Sequence, residues 1–238
     1  KGPITLDKFP GGQSNPTFKL DSQSGTYVLR CQPPGKLLKS AHAVDREYRV
    51  LAALKDSDVP VAKVYHLCED REVTGSMFYL MEYCEGRIFW RAALSEIDNN
   101  QDRSAMYDQM NKTLAALHSV DVNACGLSDY GKPGNYFGRQ LSRWSSQYRA
   151  SETQHIESME TLINWLEANQ PEDDGRVSLV HGDFRLDNMM FHPTKPEVIA
   201  VLDWELSTLG HPFADLAYQC MQLRMPQGMG SIDGLKGI

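Results

Sequence analysis

Two textures of hydrophobic and polar positions divide the chain. Up to about residue 84, short β-favouring runs at 27–31, 61–67 and 77–81 are separated by turn-forming residues and read as strands. Between the first two, over 41–55, the apolar residues Val44, Tyr48, Leu51 and Leu54 recur three and four positions apart and predict one helix packed on the sheet. After Glu85 and Gly86 the spacing becomes helical. Met106, Met110, Leu114 and Leu117 form one stripe, and Ile156, Met159, Ile163 and Leu166 form another; both are expected in the core. Within this second part the apolar runs 177–180, 189–191 and 198–202 read as short buried strands, each beside a polar candidate for chemistry. The expectation is an α+β chain of two lobes, 1–84 an antiparallel sheet with a helix and 85–238 mainly helical, with no repeat and no low-complexity linker.

Composition narrows the function classes. With 238 residues and 41% hydrophobic content the chain can bury a full core. A formal net charge of −7 gives no general attraction to nucleic acid or to an anionic membrane, so the search for a ligand moves to pockets. No apolar run approaches the roughly 18–20 residues that cross a bilayer, and the opening Lys1-Gly2-Pro3-Ile4-Thr5 lacks the apolar core of a secretion signal. A cytoplasmic compartment is expected. Five scattered cysteines, Cys31, Cys68, Cys84, Cys125 and Cys220, form no C-x-x-C pair and are read as reduced, mostly core residues.

The segment 179–190, Leu-Val-His-Gly-Asp-Phe-Arg-Leu-Asp-Asn-Met-Met, sets a carboxylate, Asp183, five positions before an amide, Asn188, between two apolar runs. That is the spacing of a kinase catalytic loop, in which the acid orients the acceptor hydroxyl and takes its proton while the amide oxygen returns to a magnesium ion. Taken singly, Asp183 and Asn188 also fit a capped turn. Asp203, at the end of the apolar run 198–202, is a further acid whose buried charge a magnesium ion would compensate, beside Asn188 and phosphate oxygens. His181 reads as the residue that organises the catalytic loop, and Arg185 as a cation offsetting charge on the transferred phosphoryl group.

In order and spacing these residues resemble the aminoglycoside phosphotransferase and choline kinase-like superfamily, whose loop reads H-G-D-x-x-x-x-N and whose metal acid lies in an L-D-W strand. The likeness continues through Gly210-His211-Pro212-Phe213-Ala214-Asp215-Leu216-Ala217-Tyr218 and is strongest to the kinase-like domains found alone in bacteria or fused to acyl-CoA dehydrogenases. It implies a two-lobed protein-kinase-like fold, ATP and magnesium as cofactors, and a small hydroxylated acceptor. It further implies a fused or associated acyl-CoA dehydrogenase or a homo-oligomer, and an Asp215 that steadies the catalytic loop from a helix start. Against such relatives the chain after Tyr218 is short, so the expectation is either that further helices walling the acceptor site lie outside it or that another domain or subunit completes the pocket.

The resemblance also assigns the nucleotide side. Residues 9–18 resemble a phosphate-covering G-x-S-N-x-T-[FY] loop with Gly12, Ser14 and Asn15, although Gly-Gly followed by Ser, Asn and Pro equally suits a hairpin turn. Arg30 stands where many relatives place a phosphate-binding lysine, and Glu47 on the 41–55 helix is its implied partner, with local pairing to Arg46 or Arg49 as the competing reading. Met81, Glu82, Tyr83 and Cys84 fall at the implied hinge, where adenine would lie between backbone groups and an apolar slot; ATP and GTP stay undistinguished.

For the acceptor, Arg139, Arg143 and Trp144 suit either an anionic, acyl-CoA-like ligand or a buried Trp144 with surface arginines. Glu85, Glu96 and Asp98 make no persuasive pocket for an aminoglycoside, and the resemblance points to a hydroxyacyl-CoA or hydroxylated acid, with an aminoglycoside- or choline-type kinase as the alternative. Gly182 and Trp204-Glu205 differ from the Arg and Phe-Gly of protein kinases. A metal hydrolase built on His181, Asp183, Asp203 and His211 leaves the N-terminal parts unexplained, and a nucleotide-binding pseudokinase is the non-enzyme alternative.

Overall fold

The computed structural model describes residues 2–10, 15–33, 35, 42–228 and 234–237. In the N-terminal part β1 (Thr5–Lys8), β2 (Thr17–Ser22) and β3 (Gly25–Cys31) run as an antiparallel meander. The chain then forms helix α1 (Val44–Leu54), β4 (Val64–Cys68), the single-turn α2 (Arg71–Thr74) and β5 (Phe78–Glu82). The strand order β1-β2-β3-β5-β4 makes β3 central, and its register sets Arg30 opposite Thr17 on one side and Tyr79 on the other. In α1 the spacing of Val44, Val50, Leu51 and Leu54 buries one face against the sheet, and Glu47 is carried inward on the same face. Asp45 and Glu47 lie in its first turn, where negative charge complements the helix dipole.

The C-terminal part begins with α3 (Asn100–His118), whose start is capped by Asn99 accepting from the Asp102 N–H. Next come α4 (Tyr136–Ser151), α5 (Glu157–Ala168) and four short strands, β6 (Ser178–Val180), β7 (Met189–Phe191), β8 (Val198–Val201) and β9 (Thr208–Gly210); α6 (Phe213–Met221) follows. β6 pairs with β9 and β7 with β8, both antiparallel, so the two loops that carry polar candidates leave from neighbouring ladders. One core joins the two parts: Val44, Leu51, Leu54 and Tyr79 pack in the same cluster as Met106, Met110, Leu117, Leu179 and Phe191. Leu54, Leu117 and Leu179 are each fully buried, worth roughly 1.5–3 kcal/mol apiece.

The 156–166 stripe is not core: Ile163 alone of its members is buried, while Ile156 precedes α5 and Leu166 is exposed. Trp144 is 51% exposed rather than packed inside, with the Arg143 guanidinium over its ring. Of the cysteines, all free, Cys31 alone is buried. Arg46 and Arg49 do not pair locally with Glu47; both reach the C-terminal part, Arg46 to the Tyr130 carbonyl at 2.8 Å and Arg49 to the Gly126 carbonyl at 2.8 Å and to Asp129. No helix among the described residues is long and apolar enough to cross a membrane.

Candidate active site

The loop after β6 is built by local hydrogen bonds. Asp215, in the first turn of α6 and 1% exposed, accepts the backbone N–H groups of His181 and Gly182, both at 2.8 Å, and lies 3.2 Å from His118 Nε2. Gly182 has φ +86°, and a Cβ there would come within 2.8 Å of the Leu206 carbonyl oxygen, so this turn requires glycine. His181 is fully buried against Trp204, its Nδ1 accepting the Asp183 N–H at 3.3 Å and its Nε2 donating to the Leu202 carbonyl at 2.8 Å. It therefore shapes the loop from within.

Asp183 is half-buried, and the Asn188 amide donates to its backbone carbonyl at 2.9 Å and to Oδ2 at 2.8 Å. The five-residue interval predicted from the sequence is thus closed by two hydrogen bonds, which leave the Asn188 side-chain oxygen turned away from Asp183. Arg185 lies between two acids, its Nη2 2.7 Å from Asp187 and its Nε 3.5 Å from Asp183. Burial, together with Asp183 and Asp203, pushes the Asp187 carboxyl above its ordinary range against the pull of Arg185. Tyr218, one helical turn beyond Asp215, brings its hydroxyl to Asp183; burial first and that carboxylate second push the phenol up to about 12.

Asp203 follows β8 in a left-handed conformation, φ 60° and ψ 64°, an uncommon place for a residue with a side chain and one that aspartate tolerates better than most. The Leu202 N–H donates to the Asn188 carbonyl at 2.8 Å, so the β7–β8 pairing sets Asp203 beside the end of the Asp183 loop. The Asp203 carboxylate meets Arg30 Nη2 at 2.6 Å. On its other side Arg30 Nε lies 2.6 Å from Glu47 Oε2, and Glu47 also accepts from the Asn15 amide at 2.7 Å and the Tyr79 hydroxyl at 3.1 Å. Burial disfavours the Arg30 charge, but Glu47, Tyr79 and Asp203 outweigh it and hold the guanidinium protonated. Burial likewise pushes Glu47 up against the pull of Arg30.

The hinge segment leaves β5 at Glu82. The Glu82 N–H is already taken by the Lys63 carbonyl at 2.8 Å, while the Tyr83 ring stacks on Phe9 at 6.5 Å between centroids. Met81 is half-buried, and burial, then Glu82, push the Cys84 thiol up to about 11. Beyond it Gly86 presses on β7, where a Cβ would come within 2.5 Å of the Phe191 carbonyl oxygen; Arg87 and Phe191 exchange backbone hydrogen bonds at 2.7 and 2.8 Å. The hinge and the strand that follows Asn188 are thereby tied together.

The structure brings together Arg30, Glu47 and Asp203 as one chain of contacts, and Asp183, Asn188 and Arg185 as another, joined at the Leu202–Asn188 hydrogen bond. Gly12 and Ser14 lie outside the described residues. Asn15 is 1% exposed on Glu47, a strut for that carboxylate. Tyr79, Tyr218, Tyr130 and His118 escaped the sequence reading; Tyr79 reads there only as one more strand residue, and Tyr218 only as the end of a motif. Among the described residues no cluster of three or more His, Cys, Asp or Glu suits a metal ion. An amide oxygen and one carboxylate, Asn188 and Asp203, do suit a magnesium ion that takes the rest of its shell from phosphate and water.

The family model described as the phosphotransferase enzyme family matches residues 5–236. The chain is 49% identical to mouse acyl-CoA dehydrogenase family member 10 over 99% of its own length and 22% of that protein. It is 46% identical to chicken acyl-CoA dehydrogenase family member 11 over 99% of its length and 31% of that protein. It thus spans less than a third of these curated relatives. Among solved structures, an aminoglycoside phosphotransferase-like protein from Ralstonia eutropha superposes with a TM-score of 0.89 at 51% identity, over all of this chain and 69% of that one. The macrolide 2'-phosphotransferase MphH of Brachybacterium faecium shares the fold, with a TM-score of 0.66 at 19% identity over 93% of this chain and 72% of that one.

Proposed function

The chain belongs to the phosphotransferase enzyme family, a small-molecule kinase by that membership, and from this premise we propose that it moves the γ-phosphoryl group of ATP to a hydroxyl of a hydroxyacyl-CoA or related hydroxylated acid. The observation that carries the reading is Arg30, 2.6 Å from Glu47 on the sheet side and 2.6 Å from Asp203 on the side of the Asp183 loop. A buried cation held between two acids at the junction of a nucleotide lobe (residues 1–84) and a catalytic lobe (85–238) suits a polyphosphate tail that arrives with its magnesium ion.

In this reading Asp183 orients the acceptor hydroxyl and takes its proton as the new O–P bond forms and the bond from the γ-phosphorus to the β-bridging oxygen breaks. Asn188 holds the Asp183 carboxylate at 2.8 Å and, with Asp203, offers oxygen to magnesium, which supplies charge neutralisation along the phosphates when bound. Arg30 binds phosphate oxygens and is kept in place by Glu47; Arg185 offsets charge on the transferred group. Adenine lies at the hinge among Met81, Glu82, Tyr83 and Cys84. His181 supports the loop from within.

The acceptor class rests on the two relatives described as acyl-CoA dehydrogenase family members, which supports substrates from acyl-CoA chemistry and a fused or associated dehydrogenase. The test is a panel of hydroxyacyl-CoAs, free hydroxy acids, aminoglycosides and choline with ATP and magnesium, with Asp183→Asn as control. Phosphorylated product from a hydroxyacyl-CoA, reduced at least about 100-fold in the variant, is expected. Turnover confined to aminoglycosides or choline would remove the acyl-CoA assignment, and absence of magnesium-dependent ATP binding and turnover would remove the kinase itself.

A further inference from the structure

Tyr130, in the segment between α3 and α4, is 1% exposed, and its hydroxyl lies inside the core. A phenol buried without partners is costly, and phenylalanine would fill the same volume, so the hydroxyl calls for an explanation. Its two partners come from far along the chain. The oxygen lies 2.7 Å from Ser207 Oγ and 3.2 Å from the Arg46 carbonyl, which accepts from it. Ser207 Oγ in turn donates to the Trp204 carbonyl at 2.5 Å, so the single phenolic proton is shared between Ser207 and Arg46.

These partners adjoin the two acids that hold Arg30. Arg46 immediately precedes Glu47, and Trp204 immediately follows Asp203. We infer that Tyr130 is a positioning residue for the phosphate-binding side of the site: its hydroxyl ties α1 to the turn after Asp203 and so sets the span that Arg30 bridges. The inference rests on the phosphotransferase reading of Arg30 and Asp203 given above.

The surrounding contacts point the same way. The Arg46 guanidinium caps the Tyr130 ring with 4.1 Å from its central carbon to the ring centroid, and it donates to the Tyr130 carbonyl at 2.8 Å and to the Ser207 carbonyl at 3.4 Å. The next residue, Gly131, is pressed on β9, where a Cβ would come within 2.5 Å of the Leu209 backbone nitrogen. Tyr130 is thus held from both sides, and three segments distant in sequence meet at one oxygen. The inactive-site alternative, a tyrosine that only fills space, predicts that removing the oxygen affects packing around 126–131 and nothing else.

Tyr130→Phe keeps the ring and the stacked guanidinium and removes only the shared hydrogen bonds, so the fold is retained. The first measurement is amide hydrogen exchange of the unaltered protein and the variant. Faster exchange is expected together in α1 and in 203–208, with α3 unchanged; faster exchange confined to 126–131 would overturn the inference. The second is ATP binding with and without magnesium. The variant should lose about tenfold of the magnesium-dependent gain in affinity, the worth of roughly one hydrogen bond, and keep its magnesium-free affinity. An unchanged gain would also overturn it, since packing alone would not discriminate the two conditions. If the unaltered protein binds no ATP, the phosphotransferase reading falls instead, and the exchange pattern still decides whether Tyr130 couples the two segments.

Discussion

Replacing Glu47 by glutamine tests the charge at the centre of the site without changing its shape. The Arg30 and Glu47 side chains are 13% and 2% exposed, so water screens their contact little. Removing one partner of a buried ion pair costs about 3–5 kcal/mol, because the other charge stays buried without compensation. Arg30 keeps Asp203, whose side chain is 38% exposed and therefore a better-screened partner, which places the expected cost near the lower end, about 3 kcal/mol. In a chain of this size each kcal/mol moves the melting temperature by roughly 2–4 °C, so a fall of about 6–12 °C is expected by circular dichroism. ATP affinity, measured by calorimetry well below that transition, should fall as well, since Arg30 loses the acid that holds it toward the phosphates. The double variant Arg30→Met with Glu47→Leu separates the two effects: the apolar pair removes the uncompensated charge and should recover part of the melting temperature, the Asn15 amide and Tyr79 hydroxyl having lost their acceptor, and none of the ATP affinity. A Glu47→Gln protein that melts within about 2 °C of the unaltered one and binds ATP equally well would refute the reasoning.

Gly182→Ala forces a side chain into a left-handed turn and against the Leu206 carbonyl; denaturant unfolding should show a loss of about 2–3 kcal/mol. Cys84, with its thiol pushed up to about 11 by burial and then by Glu82, stays protonated through neutral pH. Peptide-level mass spectrometry should find its alkylation at pH 8 roughly 100-fold slower than that of an ordinary thiol and rising about tenfold per pH unit, with protection by magnesium and ATP; fast labelling at pH 8 would refute the shift.

The parts of the site that were legible in the sequence are those whose partners are close in sequence. Asp183 and Asn188 lie five positions apart and bond within one loop, so their spacing already encodes the contact. The role of α1 was legible because a helical stripe must face the sheet. For Glu47 the resemblance supplied the partner, Arg30, but what the other polar residues of that helix face was not legible: Arg46 and Arg49, the competing local partners for Glu47, both reach residues about 80 positions away. Asn15 matched a phosphate-loop motif, but its amide is spent on Glu47. Periodicity also failed where a helix has little to cover. The 156–166 stripe has the right spacing, but α5 packs beside α4, and both helices bury a single residue apiece.

The charges assembled around Arg30 and Arg185 show why the acids are shared and not simply paired. Glu47 and Asp203 meet at Arg30, and Asp183 and Asp187 at Arg185, so four carboxylates face two guanidinium groups. The excess is negative, in keeping with an Asp187 carboxyl raised by burial and by its neighbours Asp183 and Asp203. Such a site repels a bare polyphosphate. In the proposed reading, Asp203 and the Asn188 side-chain oxygen would hold a divalent cation, which would supply the positive charge that these acids lack; Asp203 would then be shared between that cation and Arg30. Arg30 would then be freed on that side while Glu47, itself fixed by the Asn15 amide and the Tyr79 hydroxyl, holds it on the other. On the proposed function, the Tyr130 hydroxyl, bonded to Arg46 of α1 and to Ser207 of the turn after Asp203, would therefore set whether the cation and the guanidinium can engage the phosphates together.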